Sequence, residues 1–277
     1  MGKMMLIIKT ITDWKKIRKS IPPENSMGFV PTMGALHEGH LSLVDKSVQE
    51  NDLTVASIFV NPSQFNDSSD LEKYPRDFNS DAQLLESRGV YSIFFPEVGE
   101  MYPNDYRYRI TENEKSKIME GAHRPGHFDG VFTVVMKLLN LVKPTRAYFG
   151  KKDYQQLILI RDMVSSFFLD VEIVGCPTIR ENDGLAMSSR NTLLTMEERA
   201  KAPDFSKALQ SEKFAENIKT DLTEFYNLIY QYQNDCLVAA IEYSKNYYED
   251  SDLKPSENIF FSITLKPFGT TTGPSLK

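Results

Sequence analysis

Cysteine is scarce: Cys176 and Cys236 are the only two among 277 residues. They lie far apart, with no second pair for a zinc ribbon and no C-x-x-C redox element, so a reducing, cytoplasmic compartment is the simplest expectation. Long apolar runs are missing too. Met4-Met5-Leu6-Ile7-Ile8 is a short apolar stretch, where a signal-peptide core takes about 7–15 residues and a membrane span about 20. Neither export nor membrane anchoring is therefore expected. Excess positive charge is also lacking: Lys+Arg number 32 against 38 Asp+Glu, for a net charge of −6. That argues against a broad basic surface for nucleic acid and leaves room for a local cationic pocket that takes a small anion. The chain is 41% hydrophobic and 25% charged, which is ordinary for a globular protein and excludes both disorder and a polytopic membrane protein.

What is present is alternation. Residues 55–60, 90–95, 147–149 and 171–174 are short β-type runs, several bounded by proline or asparagine, as buried parallel strands are. Between them lie helical patterns over residues 41–51, 80–88, 131–142 and 154–168, the last with Leu157, Ile160, Met163 and Val164 on one face. This order predicts a doubly wound, Rossmann-like α/β fold with a parallel sheet. From about Glu181 the character changes, with helical stretches expected over residues 196–210 and 222–248 and a β-like segment over 258–265. The expected division is residues 1–180, an α/β unit, and residues 181–277, a smaller α+β unit. Residues 269–275 are turn-rich and expected to fray. Trp14, the Tyr230/Tyr232 pair and Tyr247-Tyr248 are expected as packing residues.

Four segments carry chemistry. In Gly28-Phe29-Val30-Pro31-Thr32-Met33-Gly34-Ala35-Leu36-His37-Glu38-Gly39-His40-Leu41, a strand runs through a glycine turn into a helix. His37 and His40 thus sit near a helix N-terminus, where free N–H groups favour an anion. If the helix has begun by His37, both imidazoles face one ligand, and Gly39 lets a nucleotide approach the backbone. The plain alternative is two surface histidines after a turn. Asn61-Pro62-Ser63-Gln64 ends another strand with two amides at the sheet's carboxyl edge; Asn61-Pro62 alone also reads as a turn. Phe149-Gly150-Lys151-Lys152-Asp153-Tyr154-Gln155-Gln156 repeats the strand-to-helix pattern. There a lysine is unfavourable at a helix start unless an anion joins it, while Asp153 also reads as a helix cap. Met187-Ser188-Ser189-Arg190 follows a glycine-containing loop and resembles a clamp for phosphates.

The His-x-Gly-His element resembles the signature of the nucleotidyltransferase superfamily that includes the class I aminoacyl-tRNA synthetases. Together with Asn61-Pro62-Ser63-Gln64-Phe65, Asp70-Leu71-x-x-Tyr74-Pro75-Arg76, Arg124-Pro125-Gly126-His127-Phe128, Gly150-Lys151-Lys152-Asp153 and Met187-Ser188-Ser189-Arg190, the match over residues 28–194 is similar to the pantoate–β-alanine ligase family. The resemblance implies ATP-dependent condensation of D-pantoate with β-alanine through a pantoyl adenylate. It assigns ATP to Met33, Gly34, His37, Gly39, His40, Gly150, Lys152, Asp153, Ile179, Met187, Ser188, Ser189 and Arg190, with His40 as proton donor. His37, His40, Lys152, Ser188 and Arg190 would stabilise charge as pyrophosphate leaves. Pantoate falls to Gln64 and Gln156, with Asn61, Arg124 and His127 as lesser candidates for pantoate or β-alanine. Mg²⁺ should accompany ATP, ligated mostly by phosphate oxygens and water; Asp81 is the one side chain offered as a metal ligand, and it also reads as a first-turn carboxylate. The family is dimeric, so a homodimer is expected. The family's C-terminal Arg-x-Ile-Asp-like sequence is not found after Phe260. A related transferase with another acceptor would not need Gln64 and Gln156, and an inactive nucleotide-binding regulator would have lost a phosphate contact.

Overall fold

The computed structural model describes residues 5–66, 68–210, 226–233, 237–246 and 256–265. Its strands are β1 (Leu6–Ile8), β2 (Met27–Thr32), β3 (Leu53–Ile58), β4 (Ser92–Phe94), β5 (Arg146–Gly150), β6 (Glu172–Cys176), β7 (Tyr226–Gln233), β8 (Leu237–Asn246) and β9 (Ser256–Leu265). The helices are α1 (Ile11–Ser20), α2 (Glu38–Glu50), α3 (Ser68–Lys73), α4 (Phe78–Ser87), α5 (Val98–Met101), α6 (Glu120–His123), α7 (His127–Val142), α8 (Tyr154–Ser166), α9 (Met196–Lys201) and α10 (Pro203–Gln210). β1 to β6 form one parallel sheet in the order β1-β4-β3-β2-β5-β6. The order reverses between β2 and β5, and the expected α/β architecture is borne out.

Alternation along each strand supplies two faces, as period-2 geometry requires. Phe29, Val55, Phe94, Ala147 and Phe149 join α1, α7 and α8 in one core, while Val30, Ala56, Ile93 and Tyr148 join α2 and α4 in the other. Trp14 of α1 is fully buried and its indole N–H donates to the Leu141 carbonyl at 2.7 Å, so it packs as expected. α7 begins four residues before the expected start because Gly126, at φ 80°, turns the chain into it. The expected helix at 196–210 is two helices, α9 and α10, with Pro203 at the first position of the second, where its missing N–H costs nothing.

One element is corrected. A helix is expected over residues 222–248, yet within them β7 and β8 pair antiparallel from Tyr226↔Lys245 to Gln233↔Val238, and β9 extends the sheet on β8. The physical reason is in the pattern: Tyr226, Leu228, Tyr230 and Tyr232 alternate with Asn227, Ile229, Gln231 and Gln233, three of these four polar, and aromatic residues at period 2 favour a pleated surface over a helix. The turn-rich residues 269–275 and Tyr247-Tyr248 lie outside the described residues.

Candidate active site

The carboxyl ends of β2 and β5 flank the reversal of strand order, the place where open α/β sheets leave a crevice for ligands. Thr32 ends β2; its hydroxyl donates to the Ser57 carbonyl at 2.7 Å and accepts from the Gly34 N–H at 3.2 Å. The chain then turns through Gly34 and Ala35, both at positive φ of 80° and 52°. Asp81 of α4 receives the turn: its two carboxylate oxygens accept from the Ala35 and Leu36 N–H groups at 2.9 and 2.8 Å.

His37 follows as the N-cap of α2, one residue outside the helix rather than within it. Its Nδ1 accepts from the Gly39 N–H at 3.1 Å, and His40 Nδ1 accepts from the His37 N–H at 3.4 Å, closing a reciprocal capping box. Each Nδ1 is therefore an acceptor, which places the proton of the neutral ring on Nε2. Neither Nε2 has a hydrogen-bond partner among the described residues. The rings lie against each other with centroids 4.1 Å apart. Burial lowers the His37 pKa, helped by the Lys152 charge and opposed by Glu181. His40 is pushed down to about 3 by burial first, then by His37 and Lys152. Two uncharged N–H donors thus share one helix start with its free amides, and the Lys152 ammonium lies near enough to act on both rings.

Gly39 has a local reason to be glycine. A Cβ there would sit 2.8 Å from His37 Cε1 and 3.6 Å from Met187 Cβ, so the cap ring and the Met187 loop close over it before any nucleotide arrives.

Lys152 and Asp153 stand in the single turn between Gly150 of β5 and α8, with the Lys152 ammonium 2.9 Å from the Asp153 carboxylate. Asp153 makes no capping hydrogen bond, so the plain cap reading gives way to this ion pair. Residues 179–187 form a tight hairpin, with Met187 N–H donating to the Ile179 carbonyl at 3.0 Å and Gly184 at φ 94°. Ser188 then caps the turn Ser189–Leu193 by accepting from the Arg190 N–H at 3.3 Å. Arg190 is held: its guanidinium donates to both Asp70 oxygens at 2.9 and 3.4 Å and lies 5.6 Å over the Tyr74 ring. A groove of about 880 Å³ opens beside this loop, bordered by His37, Met187, Ser188, Arg180 and Glu181.

Gln64 ends the 3-10 turn Pro62–Gln64 after β3. Its Nε2 donates to Met33 Sδ at 2.9 Å, and its Oε1 accepts from Asn61 Nδ2 at 3.2 Å. The carboxamide is thereby brought to the β2 loop. Gln156 is half-buried on α8, with no hydrogen-bond partner among the described residues.

Several expected contacts move behind the site. Asn61 is 1% exposed and its amide is spent: Nδ2 also donates to the Gly130 carbonyl at 3.1 Å, and Oδ1 accepts from Tyr102 Oη at 2.8 Å and Ser63 Oγ at 3.0 Å. It braces Gln64. His127 is buried, with Nδ1–H donating to the Gln64 carbonyl at 2.7 Å and Nε2 accepting from Arg124 at 3.2 Å. Burial and the Arg124 charge lower its pKa, in keeping with that neutral tautomer. Arg124 is tied to Glu120 at 2.7 Å. Asp81, offered as a metal ligand, has both oxygens engaged by backbone amides, and among the described residues no group of three or more His, Cys, Asp or Glu side chains is placed to hold a metal ion. Tyr102, whose hydroxyl burial pushes up to about 12, was not anticipated; it reaches Asn61 across forty-one positions and no local pattern announces it.

Among the described residues no helix is long and apolar enough to cross a membrane. A pantoate-beta-alanine ligase family profile matches residues 6–264. A pantothenate synthetase of Bdellovibrio bacteriovorus is 53% identical over 220 residues, covering 79% of this chain and 87% of that protein. One from Pseudothermotoga lettingae is 48% identical over 259 residues, covering 92% and 91%. Among solved structures, pantothenate synthetase of Thermus thermophilus superposes with a TM-score of 0.74 at 38% identity, covering 94% of this chain and 98% of that one. The Francisella tularensis pantoate-beta-alanine ligase, complexed with beta-gamma ATP and beta-alanine, also gives 0.74, at 36% identity over 95% and 98%.

Proposed function

The chain belongs to the pantoate–β-alanine ligase family, and we propose that it condenses D-pantoate with β-alanine in two half-reactions through a pantoyl adenylate. A free carboxylate does not accept an amine at neutral pH, so the acyl carbon needs a leaving group. In the first step a pantoate carboxylate oxygen attacks the α-phosphorus of ATP and pyrophosphate leaves. In the second the β-alanine amine attacks the acyl carbon, the carbon–oxygen bond breaks, and AMP departs with that oxygen.

The observation that carries this reading is the pair of neutral imidazoles at the start of α2, their Nε2–H groups without a partner among the described residues and Lys152 near enough to act on both, with Gln64 bonded to Met33 of the loop that leads into them. Neutral donors beside a phosphate stabilise charge as it develops there. Phosphoryl transfer asks mainly for alignment and charge neutralisation, with no protein nucleophile. Gln64 gives a neutral carboxamide for pantoate, which holds a carboxylate without pairing it and leaves it free to attack; Gln156 serves the same substrate. Ser188, Ser189 and Arg190, with Lys152, receive the pyrophosphate, Arg190 exchanging Asp70 for phosphate. Ile179, Met187, Gly150 and Asp153 frame the nucleoside. Mg²⁺ enters with ATP as part of that substrate, held by phosphate oxygens and water, because Asp81 is already engaged. Residues 1–180 form the catalytic unit and residues 181–277 a lid-bearing unit through which two copies associate. The reaction is cytoplasmic.

The test is pyrophosphate release from purified protein with MgATP and D-pantoate, before and after β-alanine, with pantoate labelled by ¹⁸O in its carboxylate. The reading expects release without β-alanine, steady turnover once it is added, ¹⁸O in the AMP, and a loss of about 10²–10³-fold in rate for His40→Ala. Pantoate-independent release, or AMP without label, would overturn it.

A further inference from the structure

Asp81 is more deeply buried than a first-turn surface carboxylate should be. It is 3% exposed, lies forty-five positions from the turn it meets, and turns both oxygens toward backbone amides of that turn. The turn has little else to hold it. Gly34 and Ala35 occupy the left-handed region at φ 80° and 52°, a conformation that an alanine adopts only under strain. A Cβ on Gly34 would come within 2.8 Å of Asp81 Oδ2 and 3.1 Å of Ile58 Cγ2, so the carboxylate fills the space beneath the turn. Two residues later the same chain becomes the N-cap of α2, where the His37 and His40 rings are locked by the capping box.

Resting on the reading of His37 and His40 as phosphate donors, we infer that Asp81 is a positioning residue that pins the strained Gly34-Ala35 turn, sets the entry of the chain into α2, and so aims both imidazoles, without ligating Mg²⁺. α4 is thereby coupled to the reacting phosphates through backbone alone. Asp77, the nearest carboxylate to the same helix, is occupied as its N-cap by accepting from the Ser80 N–H at 3.1 Å, and does not share the task. A catalytic group displaced by about 1 Å costs on the order of 10²-fold in rate. An Asn at position 81 keeps one acceptor and turns an N–H₂ toward the other amide, so the turn loses one bond and meets one repulsion.

The experiment compares wild type, Asp81→Asn, and Asp81→Asn combined with Ala35→Gly. Each is measured for kcat with Mg²⁺ titrated at saturating ATP, pantoate and β-alanine, and for its imidazole NMR signals without ligands. Asp81→Asn should lower kcat at least tenfold, leave the Mg²⁺ concentration for half-maximal rate within twofold, and move the His37 and His40 signals while those of His127 stay in place. Ala35→Gly relieves the strain that the carboxylate holds down, so the double variant should regain at least threefold of the lost kcat. A loss that excess Mg²⁺ reverses would make Asp81 a metal ligand and overturn the inference. Unmoved His37 and His40 signals, or no recovery with Ala35→Gly, would overturn it as well. Should Asp81→Asn fail to fold, Gly34→Ala pushes the turn off the carboxylate from the other side and must give the same kcat loss, Mg²⁺ response and signal shifts. A wild type that releases no pyrophosphate from MgATP with pantoate, and no AMP once β-alanine is added, would sink the functional reading, while the NMR signals still decide the role of Asp81.

Discussion

A phosphate can be met by a cation or by a neutral donor, and the role proposed for His37 and His40 is the second. Their Nδ1 atoms are consumed by the backbone at the start of α2, which fixes the tautomer and leaves each Nε2–H without a hydrogen-bond partner among the described residues. Burial and the neighbouring Lys152 charge keep both rings uncharged at neutral pH. The arrangement depends on the residue between them. Gly39→Ala would set a methyl 2.8 Å from His37 Cε1, forcing the ring out of its cap. The helix loses a capping interaction of about 1 kcal/mol, while the misaimed donors cost on the order of 10²-fold in kcat. Thermal melts and steady-state rates separate the two effects; a variant with full kcat would show that the glycine serves only the fold.

At the scale of elements, the start of α7 is pressed onto the 3-10 turn that carries Gln64. A Cβ on Gly130 would overlap the Ser63 carbonyl, and the Gly130 carbonyl itself holds Asn61 at 3.1 Å. Gly130→Ala should destabilise the protein by about 1–3 kcal/mol, the usual cost of overpacking, and raise KM for pantoate with KM for ATP little changed; equal changes in both would place Gln64 elsewhere in the reaction. This contact also shows where sequence reading stops. The strand-to-helix turns at His37 and Lys152 are legible because each is local, a strand end, a glycine and a helix start within about ten residues. The same locality makes the buried strands and α8 readable, since alternation and helical spacing are properties of short windows. The brace around Asn61 is not legible, because Tyr102, Gly130 and His127 come from forty or more positions away. Asn61 in its motif reads as a ligand contact, and the motif gives no sign that its amide is bonded to Gln64, Gly130 and Tyr102. Over residues 222–248 the error is of another kind: the helical reading passes over the alternation along β7, which is local and legible, and the antiparallel pairing of β7 with β8 excludes it.

At the scale of the whole molecule, the proposed site lies at the reversal of strand order, where β2 leads to α2 on one face of the sheet and β5 to α8 on the other. Burial there lowers the pKa of His37 and His40, and the consequence extends to global stability. Of the four histidines in the chain, His37, His40 and His127 all have folded-state pKa values lowered, with burial the first cause in each. Below the ordinary value of about 6.5 the unfolded chain takes up protons that the folded one refuses, so stability is complete above that pH and is lost as pH falls toward the folded-state values, about 3 for His40. Asp81 acts in the opposite sense, since burial raises its pKa, but a carboxylate titrates lower and offsets the loss only near the acid end. One fully buried imidazole contributes about 1.4 kcal/mol per pH unit across the window, about 2–4 °C in Tm for a protein of this size. Melting temperatures recorded at constant ionic strength should therefore be level from about pH 8 to 7 and fall steadily from about 6.5 to 5, before most carboxylates protonate. His127→Gln removes one titrating ring away from the phosphate donors and should make that decline shallower. A Tm that stays level down to about pH 5 would mean that the rings accept protons in the folded state, and the neutral-donor account of the site would fall with it.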